Sequence, residues 1–301
     1  MDSMTATAPI VTRTLRRARF GSPNVLHGTS IANLAGNILL VVTGGIVRLT
    51  GSGLGCPTWP TCSPDSLVPT PALGIHGVIE FGNRTLFGVL AVIALLCFAA
   101  SIASDHPRRR LLIGLSLAIG LGIPFQGVVG GITVLTHLNP YVVALHLLSS
   151  MAIIVLAVLH LRVSFNRAPA VVARGVGRLP LITFVVLGIA VWLGTVVTGS
   201  GPHAGDPTSP RTGLNIAMIA HIHADGVYAA VLLTVITMIM LRSKAALLLL
   251  AVEVLQGVVG FVQYYTALPS GLVLLHLLGA SLAITTGANL LFSYRVARAP
   301  D

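Results

Sequence analysis

Two histidines of this chain stand in the same local context and at the same distance from the same pentapeptide. Gln126-Gly127-Val128-Val129-Gly130 precedes His146 by 20 residues, and Gln256-Gly257-Val258-Val259-Gly260 precedes His276 by 20 residues. The flanks match as well, Leu145-His146-Leu147-Leu148 against Leu275-His276-Leu277-Leu278. Upstream, Val41-Val42-Thr43-Gly44 is echoed by Val196-Val197-Thr198-Gly199. An imidazole presented from an apolar segment can serve as an axial ligand of haem iron, and a duplicated chain offers two such positions. The sequence therefore reads as two related halves, each built to hold a haem.

A third imidazole belongs with these two. Counted inward from the residues that open their segments (Pro140, Asn215 and Ser270), His146, His223 and His276 lie at a similar depth, roughly 9–12 Å at 1.5 Å rise per residue. His221 competes with His223, but residues two apart on a helix point about 200° from each other, so both cannot address one iron. His223 is preferred. His27, His106 and His160 read as interfacial or solvent-facing, and His137 and His203 fall on outer loops. Among the eight acidic residues, Glu80, Asp225 and Glu253 fall in apolar segments, where an ionisable group is costly and usually functional. Glu80, Asn83 and Arg84 share one helical face at i, i+3 and i+4, with His76 one turn before them. A carboxylate there can accept a proton or balance positive charge beside an oxidised group; it can equally form a purely structural pair with Arg84.

These side chains need a membrane scaffold. Hydrophobic residues make up 54% of the 301 and charged ones 9%, with mean hydropathy +0.92, whereas a soluble domain carries roughly 25% charged residues. Eight segments are long enough to cross a bilayer as helices: 30–49, 77–102, 111–135, 141–163, 180–199, 214–241, 244–265 and 271–293. The expected fold class is all-α, a polytopic membrane protein whose eight transmembrane helices form two pseudo-symmetric four-helix bundles. The halves are 30–178 and 179–293, with tails at 1–29 and 294–301. The formal charge of +10 does not signal nucleic acid, because 15 of the 18 basic residues lie on one side of the eight spans. Among them are Arg13, Arg16, Arg17 and Arg19, Arg108 to Arg110, Arg174, Arg178, Arg242, Lys244 and Arg298. The positive-inside rule makes that side, and both termini, cytoplasmic, in a plasma membrane. No cleavable signal peptide is evident.

Cys56 and Cys62 fall in the first outer loop, separated by five residues that include Pro57 and Pro60. An oxidising compartment permits a disulfide there; free thiols are the alternative, and zinc would need further ligands. Cys97, inside the second span, reads as a packing residue.

Taken in order, Gly44-Gly45-Ile46-Val47-Arg48-Leu49-Thr50-Gly51-Ser52-Gly53-Leu54-Gly55-Cys56-Pro57-Thr58-Trp59-Pro60-Thr61-Cys62, Ile79-Glu80-Phe81-Gly82-Asn83-Arg84, the two Gln-Gly-Val-Val-Gly blocks and the later histidines resemble the haem A synthase family over nearly the whole chain. The resemblance implies an oxidoreductase that converts the C8 methyl of haem O to a formyl group, by successive hydroxylation to a geminal diol that loses water, for maturation of cytochrome oxidase. It implies a substrate-haem half and a haem B half. Carried over by residue, His223 and His276 match the haem B ligands, His146 one substrate-haem ligand, Glu80 the catalytic acid, and Cys56 with Cys62 the outer-loop disulfide. Haem O synthase is implied as substrate donor, beside an electron-transfer partner of unstated identity. Oligomeric state stays open, a homo-oligomer included.

The family reads Glu-x-x-His-Arg in the second span, whereas this chain has Asn83 in place of that histidine. An amide is a poor iron ligand. His76 lies roughly 10 Å higher on the helix, so the substrate iron is expected to rest on His146 alone. Arg48 and Arg84 are candidates for the haem propionates, since a guanidinium pairs a carboxylate bidentately. A di-haem cytochrome that passes electrons from quinol without substrate chemistry is the main alternative, but it calls for four good ligands. A duplicated transporter, suggested by the Ile123-Pro124 break, does not explain histidines gathered near the outer surface.

Overall fold

The computed structural model describes residues 20–297, and among them eight helices are long and apolar enough to cross a membrane. They are α1 Pro23–Leu49, α2 Gly74–Ala103, α3 Arg109–Leu135, α4 Pro140–Ser164, α5 Leu179–Ser200, α6 Ile216–Leu241, α7 Lys244–Tyr265 and α8 Ser270–Leu291. Their starts follow local chemistry. Proline occupies the first turn of α1, α4 and α5, where its missing N–H costs nothing. The side chains of Asn139, Asn215 and Ser243 accept backbone N–H groups at the starts of α4, α6 and α7.

Each half closes into a ring of four. In the first, α1 packs on α2, α2 on α3, α3 on α4 and α4 on α1; in the second, α5, α6, α7 and α8 do the same. The halves meet through α4 against α8, flanked by α1 against α8 and α5 against α4. That pattern is unchanged when the halves are exchanged, as an internal two-fold requires. The turn between third and fourth helices repeats in detail. His137 and Leu138 (φ 51° and 60°) and Ala267 and Leu268 (φ 59° and 58°) are all left-handed. Leu138 N–H donates to Thr133 O at 2.7 Å, and Leu268 N–H to Gln263 O at 2.8 Å.

The central core lies where the halves meet, with Val41, Met151, Ile154, Leu187, Ile284 and Leu290 buried in one cluster. Leucines such as Leu39, Leu95, Leu121, Leu232 and Leu255 point outward, which only a lipid surround makes favourable. Two expectations change. The first helix starts at Pro23 rather than near 30, because Pro23 nucleates it and Leu26 packs with Ala100, Leu112 and Val163. The C-terminal segment is not wholly a tail: β2 (Tyr294–Val296) pairs in parallel with β1 (Ala170–Val172). The remainder of the expected tails, with Arg13, Arg16, Arg17, Arg19 and Arg298, lies outside the described residues.

Candidate functional site

In the second half the chain brings His223 and His276 together across the bundle. Their ring centroids are 6.5 Å apart and the rings nearly perpendicular, at 85°. A metal held between two imidazole nitrogens at about 2 Å each, with each centroid a further ~1.2 Å behind, calls for about 6.4 Å, so the pair fits an iron between them. His223 donates from Nδ1 to Ala190 O at 3.0 Å, which fixes the tautomer and leaves Nε2 with the lone pair that could ligate a metal. His276 is held from behind: Gln256 Nε2 donates to its backbone carbonyl at 2.9 Å. Its Nδ1 is buried without a hydrogen-bond partner. Gly194 supplies room, since a Cβ there would stand 3.2 Å from the Cε1 of His223, and Gly260 abuts the Cε1 of His276. His221, two residues from His223, is exposed, donates to Ala217 O within its own helix, and packs edge-on near Tyr264.

The first half repeats this device once. Gln126 Nε2 donates to His146 O at 3.4 Å, and Gly130 abuts His146 Cε1 as Gly260 abuts His276. The repeated pentapeptide thus lies against the histidine: its glutamine hydrogen-bonds to the backbone of the imidazole-bearing residue on the next helix, and its last glycine packs against the ring. His146 lines a cavity of about 540 Å³ together with Asn37, Glu80, Asn83, Arg84 and Gln126. That size lies within the roughly 300–1,000 Å³ of small-molecule sites. Among the described residues no second imidazole lines this cavity. Asn83 lines the same cavity, its Oδ1 buried and unpartnered.

The loop between α1 and α2 roofs this cavity. Cys56 and Cys62 form a disulfide, and the loop they close is tied to α2. Glu80 Oε2 accepts the Cys56 N–H at 2.7 Å, and Glu80 Oε1 pairs with Arg84 Nη2 at 2.6 Å. Arg84 donates onward to the carbonyls of Cys56, Thr58 and Thr61. Trp59 lies on Gly131, where any side chain would collide with the indole. Gly53 N–H donates to Gly205 O, joining this roof to loop 201–215. In that second loop the Thr208 hydroxyl and N–H hold the Asp206 carboxyl below its ordinary range.

Both nitrogens at the tip of Arg84 are thus engaged by the loop. Arg48 is freer: Nη2 donates to Thr198 O at 2.9 Å, while Nε is buried and unpartnered at the cavity wall. His76 is exposed, bonds Ser52 and does not line the cavity. Asp225 is exposed, and Glu253 is buried against Thr234. His137 is exposed, and His203 donates across to Leu268 O at 3.0 Å. His160 is not interfacial as expected but 1% exposed, because Ser30 and Ser101 hydrogen-bond to its two ring nitrogens. Asn37 was not among the expected site residues; its spacing of four from Asn33 on an otherwise apolar helix is the signal that could have found it.

A family model described as cytochrome oxidase assembly protein (COX15-CtaA) matches residues 29–288. A haem A synthase of Shewanella oneidensis is 30% identical over 179 residues, covering 54% of this chain and 52% of that protein. A haem A synthase of Geobacillus kaustophilus is 33% identical over 109 residues, 36% and 33% of the two chains. A protoheme IX farnesyltransferase of Thermus thermophilus matches at 36% over 88 residues, 28% of this chain and 14% of its own length. The chain spans about half the length of the haem A synthase of Shewanella.

Proposed function

The chain belongs to the cytochrome oxidase assembly protein family, and from that membership we propose that it is a haem A synthase, oxidising the C8 methyl of haem O to a formyl group by successive hydroxylations. The observation that carries this reading is the inequality of the two sites. One half presents two opposed imidazoles 6.5 Å apart; the other presents one imidazole and an amide around a cavity. A haem iron with two protein ligands has no free position and suits electron transfer. A site with a single imidazole suits a haem that must enter, react and leave.

In this reading His223 and His276 hold haem B, which supplies one-electron redox chemistry when bound. His146 binds the iron of the substrate, haem O. The Asn83 amide keeps the opposite side of the site free of a basic nitrogen and offers an unpartnered acceptor there. Arg48, with its free Nε, takes a propionate in preference to Arg84, whose tip is committed to the loop. Glu80 has two tasks: it stands at the cavity wall as the acidic group beside the reacting carbon, and its ties to Cys56 and Arg84 fix the roof that excludes water. The concentration of basic residues at one set of helix ends puts those ends in the cytoplasm, with the disulfide and both haem sites toward the outer surface.

The similarity of one stretch to a protoheme IX farnesyltransferase supports a place for the chain next to haem O formation, with a haem O synthase as donor. The test is haem extraction from a host that makes haem O but not haem A. Wild-type protein yields haem A, or the hydroxylated precursor, and His146→Ala yields neither. Unchanged haem O under aerobic, electron-replete conditions, with haem B still bound, overturns the proposal.

A further inference from the structure

Below the cavity the first half carries a line of polar side chains that neither haem site uses. Asn37 lines the cavity, and one turn down α1 its Nδ2 donates to Asn33 Oδ1 at 2.9 Å. The Asn33 amide adjoins the Cys97 thiol of α2. Cys97 Sγ in turn lies 3.9 Å from Nδ1 of His160 on α4. His160 completes the line, meeting Ser30 Oγ through Nδ1 at 3.0 Å and Ser101 Oγ through Nε2 at 3.1 Å. All of these are between 0% and 7% exposed. His160 stands four residues from the end of α4, one helical turn from the basic face. Ser104, which bonds Ser101 O at the end of α2, extends the line toward that face.

We propose that this file, from Asn37 through Asn33 and Cys97 to His160 and Ser101, carries protons between the cavity and water on the basic side of the membrane. The proposal rests on the reading of the cavity as the site of methyl oxidation, because removing hydrogen from that carbon leaves protons to be placed. The step moves protons alone. A proton from the cavity passes by water between the asparagine amides and the Cys97 thiol to Nδ1 of His160, and Nε2 releases its proton to Ser101 and outward. No bond to carbon changes along the file, and no electron travels it.

Two observations set the file apart from interhelical hydrogen bonds that merely hold helices together. The first is Asn33 Nδ2, 1% exposed in residue terms, which donates to no nitrogen or oxygen and has only the Cys97 thiol beside it. A purely structural contact closes such a donor, since an unsatisfied buried N–H costs about 1–3 kcal/mol. The second is the contrast between the halves. At the offset that relates His146 to His276, His160 corresponds to Leu290, which is fully buried. The half with the cavity thus has a titratable ring where the other half has a hydrocarbon. Around His160 the nearest further ionisable groups are Cys97, at van der Waals range, and His106 in the loop after α2.

Cys97 makes the proposal testable without reference to activity. It is the only cysteine besides the disulfide pair, so the infrared S–H stretch of the protein in lipid reports this position alone. On transfer to D₂O the wild-type S–H band converts to S–D, and Asn33→Leu slows that conversion at least about tenfold, the effect of ~1.4 kcal/mol on the opening that exchange then requires. His160→Gln keeps hydrogen bonds to Ser30 and Ser101 but cannot carry a proton as imidazolium. It lowers haem O turnover by about 10²-fold while the haem B spectrum stays that of wild type. A Cys97 band that does not exchange in wild type, or His160→Gln turning over at the wild-type rate, overturns the proposal. Exchange as expected in a protein that leaves haem O unchanged supports the file and instead removes the synthase reading.

Discussion

Replacing Glu80 by alanine should expose the disulfide to reductant long before it unfolds the protein. Both sulfurs belong to residues with 0% exposure, so dithiothreitol reaches them only when the outer loop lifts from α2. The carboxylate holds that loop at Cys56 N–H, at 2.7 Å, and a hydrogen bond to a charged group contributes about 1.5–3 kcal/mol. The alanine variant loses this bond. The variant also loses the pair with Arg84, but Arg84 retains its own contacts to the carbonyls of Cys56, Thr58 and Thr61, so the loop stays in place and the bond to Cys56 is the direct link to the loop that goes. At 1.4 kcal/mol per factor of ten, opening becomes more frequent by about 10- to 140-fold. The assay is a time course of reduction in dithiothreitol, quenched by alkylation and read by mass, with wild type and Glu80→Ala in the same detergent. Equal rates within a factor of two would refute the clamp and leave Glu80 with a purely chemical role.

Other outcomes follow from the same geometry. Gln256→Leu removes the donor that fixes the His276 backbone, and the loss of such a supporting group lowers haem B affinity by about 10- to 100-fold, read as haem retained per protein after gel filtration. His221→Ala leaves the haem B spectrum of wild type, because that ring points away from His276, whereas His223→Ala abolishes it. The Asp206 carboxyl is depressed in the folded loop, so its contribution is present above the ordinary carboxyl value of 3.8 and is lost as pH falls below it. Thr208→Val removes the hydroxyl donor and moves the acid sensitivity of loop 201–215 to higher pH, measured as the onset of protease cleavage in that loop.

Much of the scaffold was legible because the membrane imposes long apolar runs, and because duplication makes function visible as repetition. The Gln-Gly-Val-Val-Gly blocks marked His146 and His276, and the structure explains the marking: each glutamine and final glycine contacts the imidazole-bearing turn of the next helix. Asn83 could be read as a gap for the same reason. What the sequence hid depends on the loop folding back. Glu80 and Arg84 are visible as an i, i+4 pair, but that their charges are spent on Cys56, Thr58 and Thr61 follows only from where residues 56–62 come to rest. The same fold removes the expected equality of Arg48 and Arg84. His160 was misjudged because its distance from the helix end suggested an interface, while its actual partners, Ser30 and Ser101, come from two other helices and carry no local signature. The extra helical residues before 30 follow from packing of Leu26 against the ends of neighbouring spans.

The claim most exposed to a single measurement is that the two halves hold haem unequally. Purified protein should be examined by electron paramagnetic resonance together with His276→Ala and His146→Ala. The account predicts that wild type shows a low-spin ferric haem with two imidazole ligands, that His276→Ala loses it, and that His146→Ala retains it unchanged while losing conversion of haem O. A low-spin signal that survives His276→Ala but disappears with His146→Ala would contradict the assignment of the two halves.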